Sequence, residues 1–215
     1  MVRKLEKESD GAIVTIEDVE TYSKVPRVGD LLLEYQSTRK VLSLATKPSA
    51  ADSRTWLAPL LGCLKLNSDV SVKSGKDFIG IGAAIRDSSG KVVAAISKPM
   101  VGNFPVELGE FLALREGLIL AKSHNLVVNY VEVDALNTAS MLNSVKPFLG
   151  DAMFIISDIK ALFIEVGVIS CKAVPRVSNK FAHSLANLPF SSGEDLLWRD
   201  VDPLVFSCFS AFSIK

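Results

Sequence analysis

Asp69, Glu110 and Asp134 are carboxylates in places where carboxylates are costly. Asp69 lies inside an alternating stretch, Cys63 to Val72. There Leu64, Leu66 and Val70 fall on one side and Lys65, Asn67 and Asp69 on the other, which reads as a strand. Glu110 lies inside a helical run, about Val106 to Ser123, whose Leu108, Phe111, Leu112, Leu118 and Ile119 recur near the helical period. Asp134 closes a strand from Val127. A buried carboxylate is expensive unless it is paired or bound to metal. A cluster of them suits hard divalent cations, Mg²⁺ above all and Mn²⁺ in its place. Two such ions about 3.5–4 Å apart can activate a water and stabilise the leaving oxygen of a phosphodiester. Any single acid is ordinarily a solvated surface group, and the chain has 24 of them, so convergence must decide.

The elements that must bring the three together follow from pattern and punctuation. Phe78 to Arg86 is a second strand, with Gly80 and Gly82 inside it, and Asp87-Ser88-Ser89-Gly90 is a turn. Lys91 to Ser97 completes a three-strand meander. After the long helix and the Val127–Asp134 strand, the pattern predicts helices over Thr138 to Val145 and Asp151 to Val166. A strand from Ile169 to Val174 follows, then a helix N-capped by Ser178 and stopped at Leu188 by Pro189. This order predicts an α/β fold: a five-stranded mixed sheet, the three-strand meander plus parallel strands, with helices on both faces. Ala113, Leu114, Gly117 and Ala121 share a helix face with Glu110, and their small members let the helix approach the sheet. Asp134 sits at a strand's carboxyl end, where α/β sites gather. If the first and fourth strands are neighbours, Asp69 and Asp134 converge.

The totals narrow the class. The chain's 215 residues allow one domain, 56–203, plus an extension over 1–55 and an apolar tail over 204–215. The extension carries a short helix around Gly29 to Leu44 and a Pro/Ser/Asp linker over Lys47 to Arg54. Net charge is zero, so bulk positive charge does not drive nucleic-acid binding here; local geometry and metal ions would have to. Cys63, Cys171 and Cys208 are far apart and odd in number, which argues against a disulfide framework or a structural zinc. The charged N-terminus is no secretory signal, and Ala152 to Ile169 is broken by Asp158, Lys160 and Glu165. The expectation is a soluble protein of the nucleus or cytoplasm, with no membrane role.

Five stretches of local wording then stand in order. Trp56, Pro59, Gly62, Lys65, Asn67 and Asp69 fit W-x-x-P-x-x-G-x-x-K-x-N-x-D. Gly80, Gly82, Ile85, Arg86, Asp87 and Gly90 fit G-x-G-x-x-I-R-D-x-x-G. Gly109-Glu110 opens a match to A-E-x-x-A-L-x-x-G-L, and Glu132-Val133-Asp134 is E-x-D. Val174, Arg176, Asn179, Ala182, His183, Leu185 and Ala186 fit V-x-R-x-x-N-x-x-A-[DH]-x-L-A. Together these resemble the ribonuclease H-like domains of plant proteins and non-LTR retrotransposons. Gly80-Ile81-Gly82 is no dinucleotide fingerprint, because it lies within a strand.

The resemblance implies a metal-dependent endonuclease that cleaves the RNA strand of RNA–DNA hybrids. By position, Asp69, Glu110 and Asp134 would hold Mg²⁺: Asp69 would bridge two ions, Glu110 would hold the ion near the 2′-hydroxyl, and Asp134 would hold the ion that activates water. His183 stands at the fourth acidic position, where the family accepts Asp or His. It is either a member of the site, accepting from water or ligating metal, or a surface histidine. Arg176 and Asn179 either contact phosphate or sugar, or cap and brace their loop. His124 reads as the C-terminal residue of the long helix, and Trp56 and Trp198 as packing residues.

The chain departs from the family wording at Val70, where Gly or Ala is usual, and at Ser71, where Ala is usual. It lacks both a histidine-rich loop and a basic, tryptophan-bearing handle. The alternative to an active nuclease is therefore a weak or inactive nucleic-acid-binding module derived from a retroelement ribonuclease H domain. A further one is a scaffold that meets a protein partner through its apolar tail.

Overall fold

The computed structural model describes residues 56–145, 150 and 152–201. The extension and its short helix, the linker and the apolar tail lie outside the described residues.

Eight residues form β1 (Leu64–Ser71), nine form β2 (Phe78–Arg86) and ten form β3 (Val92–Val101). The long helix α1 (Val106–Ser123) follows, then β4 (Val128–Val133), α2 (Leu136–Asn143), α3 (Met153–Val166) and β5 (Ser170–Ala173). A 3₁₀ turn (Arg176–Ser178), α4 (Lys180–Asn187), the single turn α5 (Pro189–Ser192) and β6 (Leu196–Val201) complete the order. No helix among the described residues is long and apolar enough to cross a membrane.

The sheet runs β5-β4-β1-β2-β3-β6. β1, β2 and β3 form the expected antiparallel meander, with β4 parallel to β1 and β5 parallel to β4. The turn between β2 and β3 is built by Asp87. Its main-chain oxygen accepts from Gly90 N at 3.0 Å, and its Oδ1 accepts from Ser89 N at 2.8 Å.

The sheet has six strands, not five. β6 pairs antiparallel with β3, Ala95 opposite Trp198. Leu196-Leu197-Trp198-Arg199-Asp200-Val201 alternates too poorly to announce a strand, and the ladder with β3 makes it one. Trp198 packs there against Ala84, Val92, Ala95 and Leu185. β3 itself runs past Ser97 through Pro99 to Val101. Beyond the Ser97–Leu196 pair it has no β6 partner, so a proline without an N–H is tolerated at that free edge.

Two boundaries near the site also differ. Ser178 does not cap α4; it ends the 3₁₀ turn, and Asn179 takes the N-cap position. Pro189 does not close the helical segment but opens α5, because proline suits a first helical position where no N–H is needed.

Alternation gives β1 and β2 two different faces. Leu66, Val70, Ile79, Ile81, Ala83 and Ile85 are buried toward α1 with Phe111, Leu114 and Leu118. Each of the larger side chains among them contributes roughly 1.5–3 kcal/mol of transfer free energy. A Cβ on Gly117 would sit 2.9 Å from both Ala83 Cβ and Leu66 Cδ1, so this glycine sets how closely α1 lies on the sheet. The opposite face carries α4.

Candidate metal centre

The β1–β4 pairing ends at Asn67 beside Glu132. Continued by two residues, the same parallel register brings Asp69 beside Asp134, just past the end of β4. The close approach of α1 brings Glu110 to the same point from its face of the sheet. One carboxylate oxygen from each of Asp69, Glu110 and Asp134 then lies within 4.8 Å of the others. Asp69 and Glu110 are buried, and Asp134 is half-buried.

Asp69 accepts at both oxygens: Val70 N donates to Oδ1 at 2.9 Å, and His183 Nδ1 lies 2.7 Å from Oδ2. Glu110 Oε2 is buried and has no hydrogen-bond partner. Burial, and then the charge of Asp134, push the Asp69 carboxyl up to about 6, against the opposing hydrogen bond and charge of His183. Burial, followed by the charges of Asp69 and Asp134, pushes Glu110 up to about 9. Glu110 therefore holds a proton near neutral pH in the absence of a cation, and a cation would displace it. An all-carboxylate donor set with an orphaned buried oxygen fits a hard divalent ion.

His183 reaches Asp69 because α4 lies directly on β2. Gly82 is the β2 partner of Asp69. A Cβ on it would lie 2.3 Å from Ala186 N and 2.4 Å from Ala182 O. The gap at Gly82 thus lets the residue after Ala182 rest over the first carboxylate.

Both departures in the first motif meet partners. Val70 points to the α1 face, where a Cβ on Gly109 would stand 2.9 Å from Val70 Cγ2. Gly109 replaces the family's alanine, so bulk added at 70 is offset by bulk removed at 109. Ser71 lies on the α4 face, and its hydroxyl donates to Asn187 Oδ1 at 2.9 Å.

Below the carboxylates lies a network whose members stood in the motifs without a visible reason. Lys65 Nζ pairs with Glu132 Oε1 and donates to Leu57 O. Asn67 Nδ2 donates to Glu132 Oε2 at 3.1 Å and to Asn179 Oδ1 at 3.2 Å. Asn67 Oδ1 accepts from Trp56 Nε1 at 3.0 Å and from Arg86 Nη2 at 2.9 Å. The Arg86 guanidinium stacks 3.6 Å from the Trp56 ring centre. Burial lowers its pKa to about 10, with Glu132 opposing, so it stays charged near neutrality. Trp56 is thus both a packing surface and a hydrogen-bond donor. Asn179 is fully buried, and its Nδ2 donates to Ser68 O at 2.8 Å, so both ends of its amide brace β1. Arg176 is exposed, with Nη2 3.4 Å from His183 Nδ1. His124 caps α1, its Nδ1 2.9 Å from Leu120 O.

This sheet order and these helices define a ribonuclease H-like fold. The N-terminal RNase H domain of a Mycobacterium tuberculosis protein, solved as a maltose-binding-protein fusion, aligns at 19% identity and TM-score 0.51, over 58% of this chain and 90% of its own. RNase H1 of the archaeon Halobacterium salinarum aligns at 20% identity and TM-score 0.51, over 60% and 98%. LC11-RNase H1, solved in complex with an RNA/DNA hybrid, aligns at 20% identity and TM-score 0.52, over 58% and 94%. No curated protein matches the chain. The reverse transcriptase-like family model matches residues 67–188, more than half of the chain, and the chain belongs to that family.

Proposed function

We propose that the chain is a divalent-metal-dependent endonuclease that cleaves the RNA strand of RNA–DNA hybrids. The observation that carries this reading is the convergence of Asp69, Glu110 and Asp134, with Glu110 Oε2 buried and unpartnered. The hybrid bound to one structural neighbour and the order of the five sequence motifs support the substrate class. The motif wording also favours the plant and retrotransposon branch. Asp69, Glu110 and Asp134 would hold Mg²⁺ or Mn²⁺, which when bound supplies Lewis acidity to the phosphodiester and an activated water. The protein's own part is to fix the three carboxylates. Asp69 is held by Val70 N and His183, Asp134 by the β4 register, and Glu110 by the packing of α1. Arg176, exposed beside the trio, is the side chain placed to meet a phosphate.

The test is cleavage of a labelled RNA strand in a purified hybrid, with Mg²⁺ or Mn²⁺ and with Asp134→Asn as control. The expected outcome is metal-dependent cutting that falls by more than about a hundredfold in the variant, given that even outer partners of metal sites cost ten- to a hundredfold. Cutting that persists in Asp134→Asn would sink the site assignment. A second reading, a module that binds nucleic acid without turnover, is favoured by the hydrogen bonds already accepted at both Asp69 oxygens. Hybrid binding without product from a folded sample, with a shallow salt dependence, would select it.

A further inference from the structure

Ser71 and Asn187 belong neither to the carboxylate trio nor to the network around Asn67, yet both end on the site. Asn187 Nδ2 donates to His183 O at 2.9 Å, one helical turn back. A carbonyl only accepts, so this bond settles which end of the amide faces His183. In that orientation the Ser71 hydroxyl, which can donate or accept, donates to Asn187 Oδ1. The same Nδ2 lies 3.2 Å from His183 Nε2. An amide nitrogen donates and does not accept, so Nε2 must present its lone pair. On a neutral imidazole the proton is then on Nδ1, facing Asp69 Oδ2 at 2.7 Å. Arg176 Nη2, a donor 3.4 Å from Nδ1, favours a lone pair there, but the Asp69 carboxylate at 2.7 Å is the nearer, charge-assisted partner and outweighs it.

We propose that Ser71 and Asn187 are positioning residues that lock His183 in its Nδ1–H tautomer, as a hydrogen-bond donor to Asp69. His183 is then not a metal ligand: its Nε2 lone pair accepts from Asn187, and Nδ1 carries the proton. It anchors Asp69 Oδ2 in place of the fourth carboxylate. The tautomer stands independently of the activity; its catalytic consequence rests on the nuclease reading above.

The chain has two histidines, so a His124→Gln background leaves His183 as the sole imidazole signal. Two-bond ¹⁵N–¹H spectra of the metal-free full chain, at alkaline pH where imidazoles are neutral, should show His183 protonated at Nδ1 and bare at Nε2. Asn187→Leu should move it to the mixed or Nε2–H form, and Ser71→Ala part of the way, with Ser71→Thr restoring it. Protonation at Nε2 in the parent, or an unchanged spectrum in Asn187→Leu, would overturn the assignment. In hybrid cleavage with Mg²⁺, Asn187→Leu should lower kcat about tenfold with KM unchanged, as for outer partners of metal sites. A change confined to KM would overturn the positioning role. A parent that cuts no hybrid would remove the nuclease reading alone, and the spectrum would still decide the tautomer.

Discussion

The two faces of β1 solve the same problem with opposite chemistry. Toward α1, Leu66 and Val70 bury carbon against carbon, and Gly109 and Gly117 remove side chains so that the helix can close. Toward α4 and β4, Lys65, Asn67, Asp69 and Ser71 form an unbroken buried polar row, and every member has a partner. Apart from the buried Ser68 hydroxyl between Leu66 and Val70, the apolar face gains free energy from area and tolerates exchange of shape. The polar face does not, because a buried donor or charge that loses its partner bears its whole desolvation cost. The fold can therefore rest on one face while the other holds Asp69 in place.

Four changes would break or sharpen that contrast. Glu132→Ala leaves Lys65 buried and uncompensated beside Asn67, and should destabilise by about 3–5 kcal/mol in urea unfolding. It should also reduce cutting at temperatures where the variant is still folded. Leu66→Ala should cost about 3 kcal/mol, within the range for buried leucines, yet leave cutting by the folded fraction unchanged. If both variants lost activity only in step with stability, the division of labour would be wrong.

Gly109→Ala should cost about 1–3 kcal/mol through Val70 Cγ2, and Val70→Ala on that background should restore part of it. A double-mutant cycle with no coupling would remove the compensation between 70 and 109. The remaining test is of pH. Asp69 and Glu110 have folded values of about 6 and about 9, above the ordinary 3.8 and 4.5. The folded protein then binds more protons than the unfolded chain between those values, so stability falls as pH rises. The contribution is complete below about pH 4 and gone above about pH 9. The Tm of the metal-free chain should fall across this window, added Mg²⁺ should recover it at the alkaline end, and Glu110→Gln should flatten the slope. A slope that Glu110→Gln leaves intact would assign the protons elsewhere.

Much of this was readable along the chain. The alternation of Leu64 to Val70 and the helical period of Val106 to Ser123 are local patterns, and the structure keeps both the β2 and the α1 limits as expected. The carboxylates stood out because acids inside such elements need a reason. β6 was not readable: six residues ending in Arg199, Asp200 and Val201 become a strand only when β3 offers its edge. The motif residues Trp56, Lys65, Asn67, Arg86, Glu132 and Asn179 were visible by name, but their contacts span up to 112 residues of sequence. Their purpose could not be seen from spacing.

Local spacing thus determined most elements and their faces, since periodicity and turn chemistry act over a few residues; the three acids were singled out by the family wording around them. Tertiary structure alone decided that Gly82 admits α4, that Gly109 makes room for Val70, and that Asn187 faces the ring of His183. Each of those depends on the distance between chain segments brought together only by packing, where tenths of an ångström separate contact from clash.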